Sequence, residues 1–315
     1  MDSIKVSVVM CSYNVEVFIE RAIKSILGQT YSNWELIISD DSSTDSTPEI
    51  IKRYLTDPRI KYHSNAANLG YVKNKNRAFT QATGDLITQL DADDTCPPQR
   101  IEKQVNCFIN FPEIKICGTN YQITDEKDNV RTPPKAYPND FVIKDITKDY
   151  PFWFPGLMFR KELIDEFGLF SEYFNGIYGD DYHWTIRVNQ KYPIYFIKDV
   201  LYNYRINSIS LTNTFNKNLR KLIAEDITGE LFRQQKETGT DWIEKGELDK
   251  ARKFEENLLN NKDLMAEKYR VWAAKAIDMK KWEQAKSLLN MSFRLKKTSL
   301  NYYRTLFYFL RKRAS

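Results

Sequence analysis

The feature that most constrains the fold is the alternation of strand-like and helix-like segments over the first hundred residues. Residues 5–11 (KVSVVMC) form a β-branched run with the length of a buried strand, and residues 34–39 (WELIIS) form another. Residues 60–63 and 85–90 predict a third and a fourth strand. Strands that alternate with helices are joined by crossover connections, which predicts an α/β fold with a mainly parallel central sheet flanked by helices.

The segments between these strands carry helix signals. Asn14 is a candidate N-cap for the first helix. Thr47 followed by Pro48 predicts the start of a second helix, which runs to about Leu55, because proline is favoured at the first helical position. Residues 71–83 predict a third helix. Each predicted crossover therefore contains a helix.

Beyond residue 95 the pattern continues and then changes. In order, it predicts a helix, a strand pair, a strand, a helix and two closing strands, at residues 98–110, 114–123, 156–160, 180–191, 194–197 and 201–205. From about residue 215 onwards the apolar spacing is helical throughout. We therefore expect an α/β domain over residues 1–214 and a C-terminal helical region over residues 215–315.

Polar loops follow three of the first four predicted strands. They comprise residues 11–14, 40–45 and 91–94, and the last two are rich in aspartate. The carboxyl ends of parallel strands meet at one edge of a sheet, where ligands of α/β proteins bind. Several acids cannot all stay ionised at close range unless a cation lies among them. The sequence therefore predicts a divalent metal ion at this edge.

The chain lacks the motifs of several other ligand classes. It has no GxGxxG dinucleotide fingerprint, no GxxxxGK[ST] phosphate loop and only two histidines, His63 and His183. A metal site must then be built from carboxylates, which favour Mg²⁺ or Mn²⁺ over Zn²⁺. Carboxylates and a hard cation at such an edge indicate chemistry on a diphosphate, whose leaving-group charge the cation would neutralise.

Five motifs in order resemble glycosyltransferase family 2. They are SVVMCSYN, IISDDSSTD, ATGDLITQLDADD, GDDYHW and LYNYR, and they span roughly the first 210 residues. The resemblance implies the GT-A fold, with a donor half over about residues 1–95 and an acceptor half over about residues 96–214. It also implies a nucleotide-sugar donor, usually a UDP-sugar, a Mn²⁺ or Mg²⁺ ion, and transfer of the sugar with inversion at the anomeric carbon.

The resemblance assigns roles to acids and an aromatic residue of the three loops. Tyr13 and Asp40 stand where the family holds the nucleoside base. Asp91 and Asp93 form the DxD signature, in which the first acid usually faces the ribose or base and the second coordinates the metal ion. On this basis Tyr13, Asp40 and Asp91 are donor-binding residues, and Asp93 is the metal ligand.

Three further roles follow from the resemblance. Asp181 stands where the family has its catalytic base, and Arg205 occupies a position that can approach the donor phosphates. Lys75 replaces the arginine that is usual in the NxGxxxxRN stretch, so it is the donor-binding candidate of that segment. The QxxRW motif of processive membrane synthases is absent.

Each assignment has an ordinary structural alternative. Tyr13 would otherwise be a half-buried aromatic residue, and Asp181 an acid that stabilises the first turn of a helix. Lys75 and Arg205 would otherwise be ion-pair partners on a solvated face. At the level of the whole protein, the alternatives are a sugar nucleotidyltransferase and a non-catalytic protein that binds nucleotide-sugars. A nucleotidyltransferase normally has a glycine-rich loop after the first strand, and this chain has CSYN there.

The charge distribution bears on partners and location. The net charge is +5, but the last twenty residues carry six basic residues and no acid, so the rest of the chain sums to −1. A nucleic-acid-binding protein would instead spread basic residues over its fold. Four cysteines without CxxC spacing indicate free thiols, and no secretory signal is visible at the start of this sequence. These features predict a cytoplasmic protein, and the family resemblance implies that it is an enzyme acting on glycans or lipid-linked glycans in cell-surface glycan synthesis.

The basic C-terminal segment allows two interpretations. Ser299 can open a helix in which Leu300, Tyr303, Phe307 and Leu310 share one face. That apolar face either packs on the preceding helical hairpin or, with the basic residues of segment 296–313, contacts the inner face of an anionic membrane.

Overall fold

The structure is a computed structural model that describes residues 4–148, 150–207 and 218–314. Its contacts divide the chain into two compact units. The first comprises Met1–Asn175 and Asp180–Ile206, and the second comprises Gly176–Gly179 and Asn207–Ser315. The strand–helix pattern belongs to the first unit, and the second is helical.

The first unit is built on one sheet. Its first four strands are β1 (Val6–Ser12), β2 (Trp34–Asp40), β3 (Ile60–Ser64) and β4 (Leu86–Gln89). They lie in the order β3-β2-β1-β4, and every pairing among them is parallel. Since both faces of such a sheet are covered, β1, β2 and β4 are buried almost along their whole length.

The crossovers contain the predicted helices, α1 (Ile19–Leu27), α2 (Thr47–Lys52) and α3 (Tyr71–Thr80). The first α-helix buries Ile19, Ala22, Ile23 and Ile26, which recur at helical spacing, in the same core as the strands. The prediction that Asn14 caps this helix was wrong, because Phe18 is the N-cap. Asn14 instead accepts a hydrogen bond from the backbone of Thr44 in the next loop.

The second half of the sheet is mixed. It contains α4 (Arg100–Asn110), β5 (Ile116–Thr124), β6 (Val130–Thr132), β7 (Phe141–Ile143), β8 (Met158–Arg160), α5 (Glu162–Phe167), α6 (Asp180–Lys191) and β9 (Ile194–Arg205). The strand order continues from β4 as β8-β5-β9-β7, with β6 paired to β5. Parallel pairing recurs only between β5 and β9, so the described sheet is parallel through β4 and mixed beyond it.

Two strand predictions need correction. Residues 114–123 are not a strand pair, because β5 runs without a turn to Thr124. Residues 194–197 and 201–205 are not separate strands, because β9 is continuous. Shifts of register on either side of Asn120 let β5 and β9 stay paired across residues 198–200, where the prediction had a break.

The described part of the second unit contains a 3-10 helix (Leu219–Ile223) and the α-helices α7 (Ala224–Thr238), α8 (Leu248–Asn260), α9 (Lys262–Asp278), α10 (Trp282–Leu295) and α11 (Leu300–Ala314). The α9–α10 pair is an antiparallel hairpin whose buried residues include Ala273, Ala285 and Leu288. Within the described residues, no helix has both the length and the apolar content needed to cross a membrane.

The C-terminal helix does not pack through the face that the sequence suggested. Leu300, Tyr303, Phe307 and Leu310 are exposed, so the interpretation that this stripe packs on the hairpin was wrong. The buried residues of α11 are Tyr302, Thr305 and Phe309, which recur at the same helical spacing on another face. The chain thus buries the face that carries a threonine hydroxyl and exposes the more apolar one.

Candidate active site

The loops after β1 and β2 are joined at the carboxyl edge of the sheet. Asn14 donates its backbone N–H to Ser43 Oγ at 2.9 Å, and its side chain accepts from Thr44 N at 2.8 Å. Its backbone has a φ of 48°, a left-handed conformation that asparagine tolerates better than most residues. Two of the three polar loops are therefore held together as one surface.

Asp40 lies at the base of this joined pair. Its carboxylate is fully buried and accepts hydrogen bonds from Ser12 Oγ at 2.8 Å and from the backbone N–H of Ser43 at 2.9 Å. Tyr13 follows Ser12 and is 51% exposed. The structure therefore places a buried acid and an exposed ring on neighbouring positions of the first two loops.

Asp41 is a residue that the sequence analysis did not select. Its buried carboxylate accepts hydrogen bonds from Leu69 N at 2.8 Å and Gly70 N at 2.9 Å, which fixes the start of α3. Gly70 has a φ of +87°, and a Cβ there would lie 2.5 Å from Asn175 Oδ1, so only glycine fits. A signal was present, because Asp41 directly follows β2 and belongs to the same acidic loop as Asp40.

Lys75 projects from α3 into a buried site. Its ammonium lies 3.0 Å from Asp180 Oδ2, and both side chains are almost completely buried. The rings of Phe170, Phe154 and Tyr71 surround the ammonium, with centroids at 3.6, 4.3 and 5.6 Å. An ion pair combined with aromatic faces is a strong restraint for a buried cation. The expected contact of Lys75 with the donor stays a prediction.

The loop after β4 carries the DxD acids. Asp91 and Asp93 are half-buried. Burial, together with the nearby charge of Asp93, raises the pKa of Asp91 to about 7. The hydrogen bond from Gln89 Nε2 to Asp91 Oδ1, at 2.6 Å, lowers this pKa. Gln89 Nε2 also donates to the hydroxyl of Tyr71 at 3.0 Å. Neither Gln89 nor Tyr71 was selected from the sequence, because a strand glutamine and a helical tyrosine carry no motif.

Asp181 begins α6 next to Asp180. Its half-buried carboxyl has a pKa raised to about 6, by burial first and then by the charge of Asp180. Lys75 acts in the opposite direction and lowers this pKa. A carboxylate with a pKa just below neutrality is ionised at pH 7 and basic enough to accept a proton in catalysis.

Arg205 anchors the DxD loop from the end of β9. It donates from Nε to the carbonyl of Asp93 at 2.6 Å and from its backbone N–H to Asp94 Oδ1 at 2.6 Å. Its Nη1 lies 2.7 Å from Asp128 Oδ1, and the side chain is 1% exposed. Asp94 also accepts from the hydroxyl of Tyr202 at 2.5 Å. A contact between Arg205 and the donor phosphates therefore stays a prediction.

The side chains fall into two neighbouring groups along this edge. Burial raises the pKa of the Cys11 thiol, near the end of β1. The charges of Asp91 and Asp180 raise it further and the charge of Lys75 lowers it, so these three residues form one group around Cys11. Asp181 adds its charge to those that raise the pKa of Tyr71. Asp40 and Tyr13 form the other group on the first two loops. The arrangement can bind a cationic or hydrogen-bonding ligand and accept a proton.

The chemistry of the donor set fits a hard divalent cation. Asp91 and Asp93 supply only oxygen. Burial is the main cause of the raised pKa of Asp91, the charge of Asp93 adds to it, and a cation would relieve that added repulsion. Within the part of the chain that the structure describes, no three His, Cys, Asp or Glu side chains form a preassembled metal cluster. The two DxD carboxylates fit Mg²⁺ or Mn²⁺ by their chemistry, since these ions bind through one or two carboxylates and take further ligands from water and substrate phosphates.

Comparison with known proteins adds the family relationship. The sequence profile described as "Glycosyl transferase family 2" matches residues 7–168. "Putative glycosyltransferase EpsE" of Bacillus subtilis is 42% identical over 124 residues, which are 39% of this chain and 45% of that protein. "UDP-Glc:alpha-D-GlcNAc-diphosphoundecaprenol beta-1,3-glucosyltransferase WfgD" of Escherichia coli is 36% identical over 130 residues, or 41% of this chain and 51% of that protein. The matched segments thus span about half the length of these two relatives.

Two kinds of solved structure share the fold. The S. aureus TarS 1–349 complex with UDP-GlcNAc superposes with a TM-score of 0.56 at 17% identity, covering 98% of this chain and 81% of that one. Mannosyltransferase PcManGT from Pyrobaculum calidifontis, in complex with GDP-Man and Mn²⁺, gives a TM-score of 0.54 at 16% identity, covering 96% of this chain and 78% of that one. At these identities the likeness shows the fold alone, which agrees with the expected α/β class.

Proposed function

Since the chain belongs to glycosyltransferase family 2, we propose that it transfers a sugar from a nucleotide-sugar donor to an acceptor hydroxyl. The observation that carries this proposal is the pair of carboxyl groups at one edge of the sheet, Asp181 with a pKa of about 6 and Asp91 with a pKa of about 7. Asp181 is suited to accept a proton, and Asp91 belongs to the loop whose Asp93 would hold a cation. Sugar transfer to a hydroxyl, with departure of a diphosphate, uses both a proton acceptor and a cation.

In the proposed reaction Asp181 is the catalytic base. Its carboxylate removes the proton of the acceptor hydroxyl while that oxygen attacks the anomeric carbon of the donor. The bond from the anomeric carbon to the donor diphosphate breaks in the same step, and the nucleoside diphosphate departs with the electron pair. Attack from the face opposite the leaving group inverts the anomeric configuration. An α-linked donor therefore gives a β-linked product.

Donor binding uses the loops at the carboxyl edge. The exposed ring of Tyr13 is available to stack on the nucleoside base. Asp40 is assigned to accept from the edge of the base, for which it would exchange its hydrogen bonds from Ser12 and Ser43, since its carboxylate is fully buried. Asp91 faces the ribose in this proposal. Lys75 and Arg205 support the donor indirectly, since Lys75 is paired with Asp180 and Arg205 holds the carbonyl of Asp93.

We assign the metal ion to Asp93, with Asp91 beside it. The ion, Mn²⁺ or Mg²⁺, would neutralise negative charge on the donor diphosphate when it is bound. The contribution of the chain is to present Asp93, whose backbone Arg205 fixes, as an oxygen ligand on a loop that is held in place before the donor arrives.

The donor and acceptor classes are proposed from the relatives. The name of WfgD specifies UDP-glucose and a lipid diphosphate acceptor, and the TarS complex contains UDP-GlcNAc. By analogy we propose a UDP-sugar donor and a glycan or lipid-linked glycan acceptor in cell-surface polysaccharide synthesis. We place the reaction in the cytoplasm, at the inner face of the membrane.

The test is transfer or slow donor hydrolysis by the wild-type protein over a panel of nucleotide-sugars with Mn²⁺. Asp181→Asn should bind the donor normally and lose at least about 100-fold of the transfer rate, because a positioned base contributes on that scale. The control is Asp165→Asn, which removes an exposed first-turn acid of α5 and should leave the rate unchanged. Retention of configuration in the product would contradict the single displacement. Formation of nucleotide-sugar from sugar phosphate and nucleoside triphosphate would contradict the reaction itself.

A further inference from the structure

The packed face of α11 is well defined. Tyr302 lies against Phe293 with ring centroids 5.2 Å apart, and Phe309 lies against Trp282 at 6.1 Å. Between them, Thr305 accepts a hydrogen bond from Arg270 Nη1 at 3.0 Å. These contacts with α9 and α10 fix which side of α11 faces the helical unit. The opposite side is therefore fixed as well.

The side of α11 that faces solvent is strongly apolar. Leu300, Tyr303, Phe307 and Leu310 are 66, 49, 68 and 57% exposed. Their spacing of three and four residues aligns them in one stripe, which we call the α11 stripe. Single exposed apolar residues are ordinary, but a contiguous stripe of large ones marks an interaction surface.

The charged side chains that α11 itself carries beside the α11 stripe have one sign. Arg304 and Arg311 are exposed beside it, and Lys312 and Arg313 follow at the C-terminal end of the helix. Residues 300–313 contain no acid. A partner must therefore offer both an apolar interior and negative charge at its surface.

We propose that the α11 stripe binds the surface of an anionic lipid bilayer, with the apolar side chains in the interface and the arginines at the headgroups. A basic amphipathic helix that presents large apolar residues fits this partner. A second copy of the chain fits less well, because a symmetric contact would place arginine against arginine. A nucleic acid would meet the charges but leave the leucines and phenylalanine uncovered. Lipid binding is inferred from α11 alone. The purpose of this binding rests on the proposed function, since it would keep the enzyme beside a lipid-linked acceptor.

The test is co-sedimentation of the full chain with phosphatidylcholine vesicles that contain phosphatidylglycerol, and with vesicles of phosphatidylcholine alone. The wild-type protein should bind the anionic vesicles, more strongly at low salt than at high salt. Arg304→Gln with Arg311→Gln should weaken the partition coefficient by about 25-fold, at about fivefold for each basic residue near the surface. Phe307→Ser with Leu310→Ser should weaken it by about tenfold or more.

Matched controls change similar residues elsewhere in the helical unit. Lys250→Gln with Arg252→Gln removes two exposed basic residues of α8, and Leu248→Ser with Val271→Ser removes two exposed apolar ones of α8 and α9. Both controls should sediment as the wild type does. Absence of wild-type binding to anionic vesicles, equal binding of the α11 variants, or a dimer in light scattering that Phe307→Ser with Leu310→Ser dissociates would each overturn the proposal.

Activity separates this proposal from the proposed function. Asp181→Asn should bind vesicles as the wild type does, since α11 is untouched. Phe307→Ser with Leu310→Ser should lose kcat/KM toward an acceptor embedded in vesicles and keep it toward a short soluble acceptor. A protein that binds vesicles but transfers no sugar refutes the proposed function and leaves the surface. A protein that transfers sugar but ignores vesicles refutes the surface and leaves the function.

Discussion

At the scale of single residues, the buried pair of Lys75 and Asp180 affects the pKa of the neighbouring Asp181. A buried lysine and aspartate are costly to desolvate, and the cost is offset here by a 3.0 Å contact and by three aromatic rings around the ammonium. The pair lies next to Asp181, where the charge of Asp180 raises the pKa of that carboxyl and the charge of Lys75 lowers it. Lys75 is thus a positioning residue whose influence reaches the proposed base.

This arrangement makes the pH profile of transfer sensitive to both members of the pair. The base works when ionised, so kcat/KM should fall as the pH drops through the pKa of Asp181, about 6. Lys75→Met removes a cation, raises that pKa and moves the acid limb to higher pH. Asp180→Asn removes a like charge and moves the limb to lower pH. The measurement is kcat/KM against pH for the three proteins.

The control is Lys75→Arg, which restores the residue usual at this position of the NxGxxxxRN stretch and keeps the positive charge. It should return the acid limb close to that of the wild type, whereas a purely structural role of Lys75 would lower the rate at every pH alike. Acid limbs that coincide in all four proteins would contradict the assignment of Asp181 as the titrating base.

At the scale of secondary structure, the end of β9 fixes the loop that follows β4. Thr95 and Asn203 exchange backbone hydrogen bonds at 3.3 and 2.9 Å, and Arg205 adds its bonds to Asp93 and Asp94. The guanidinium of Arg205 also reaches Asp128 in the turn between β5 and β6. One strand terminus therefore positions the DxD loop and holds a neighbouring turn.

Removing this anchor should loosen the loop. Arg205→Met leaves the carbonyl of Asp93 and the carboxylate of Asp128 without the guanidinium, so we expect faster amide hydrogen exchange at Asp94 and Thr95 and weaker Mn²⁺-dependent donor binding. The control is Arg187→Met, which removes a partly exposed arginine bound to the carbonyl of Phe167 on α5. Unchanged exchange at Asp94 in Arg205→Met would contradict the anchoring role.

Helices and strands could be predicted from the sequence where the relevant pattern lay within the segment itself. The helix predicted at residues 180–191 coincides with α6, because the two acids that signal its start lie within the helix itself. Asn14 was misassigned because its side chain satisfies a loop 30 residues away, which no local pattern shows. Lys75 and Asp180 are 105 residues apart in the sequence, so no local pattern could predict their contact. Asp91, Asp93 and Asp181 could be identified from their positions in the sequence motifs, whereas hydrogen-bond partners such as Gln89 could be found only from the fold.

At the scale of the whole molecule, ligand binding should appear as stability. A donor product and metal that bind only the folded state raise its free energy of unfolding by about 2.7 kcal/mol at a hundredfold excess over Kd, or roughly 5–10 °C in Tm for a unit of this size. UDP with Mn²⁺ should therefore raise the Tm of the wild-type protein more than UDP alone. The difference between the two shifts measures the contribution of the metal ion.

Asp93→Asn should remove that difference and leave the shift with UDP alone, because the amide keeps the shape of the side chain but supplies no anionic ligand. Chelation of the metal should reduce the wild-type shift to the same value. Asp165→Asn, an exposed acid of the same unit, serves as the control and should respond as the wild type does. If Asp93→Asn retains the full metal-dependent shift, the ion is held elsewhere. Asp91 then becomes the first residue to test, since its pKa is raised to about 7 by burial and by the charge of Asp93, and a nearby cation would stabilise its ionised form.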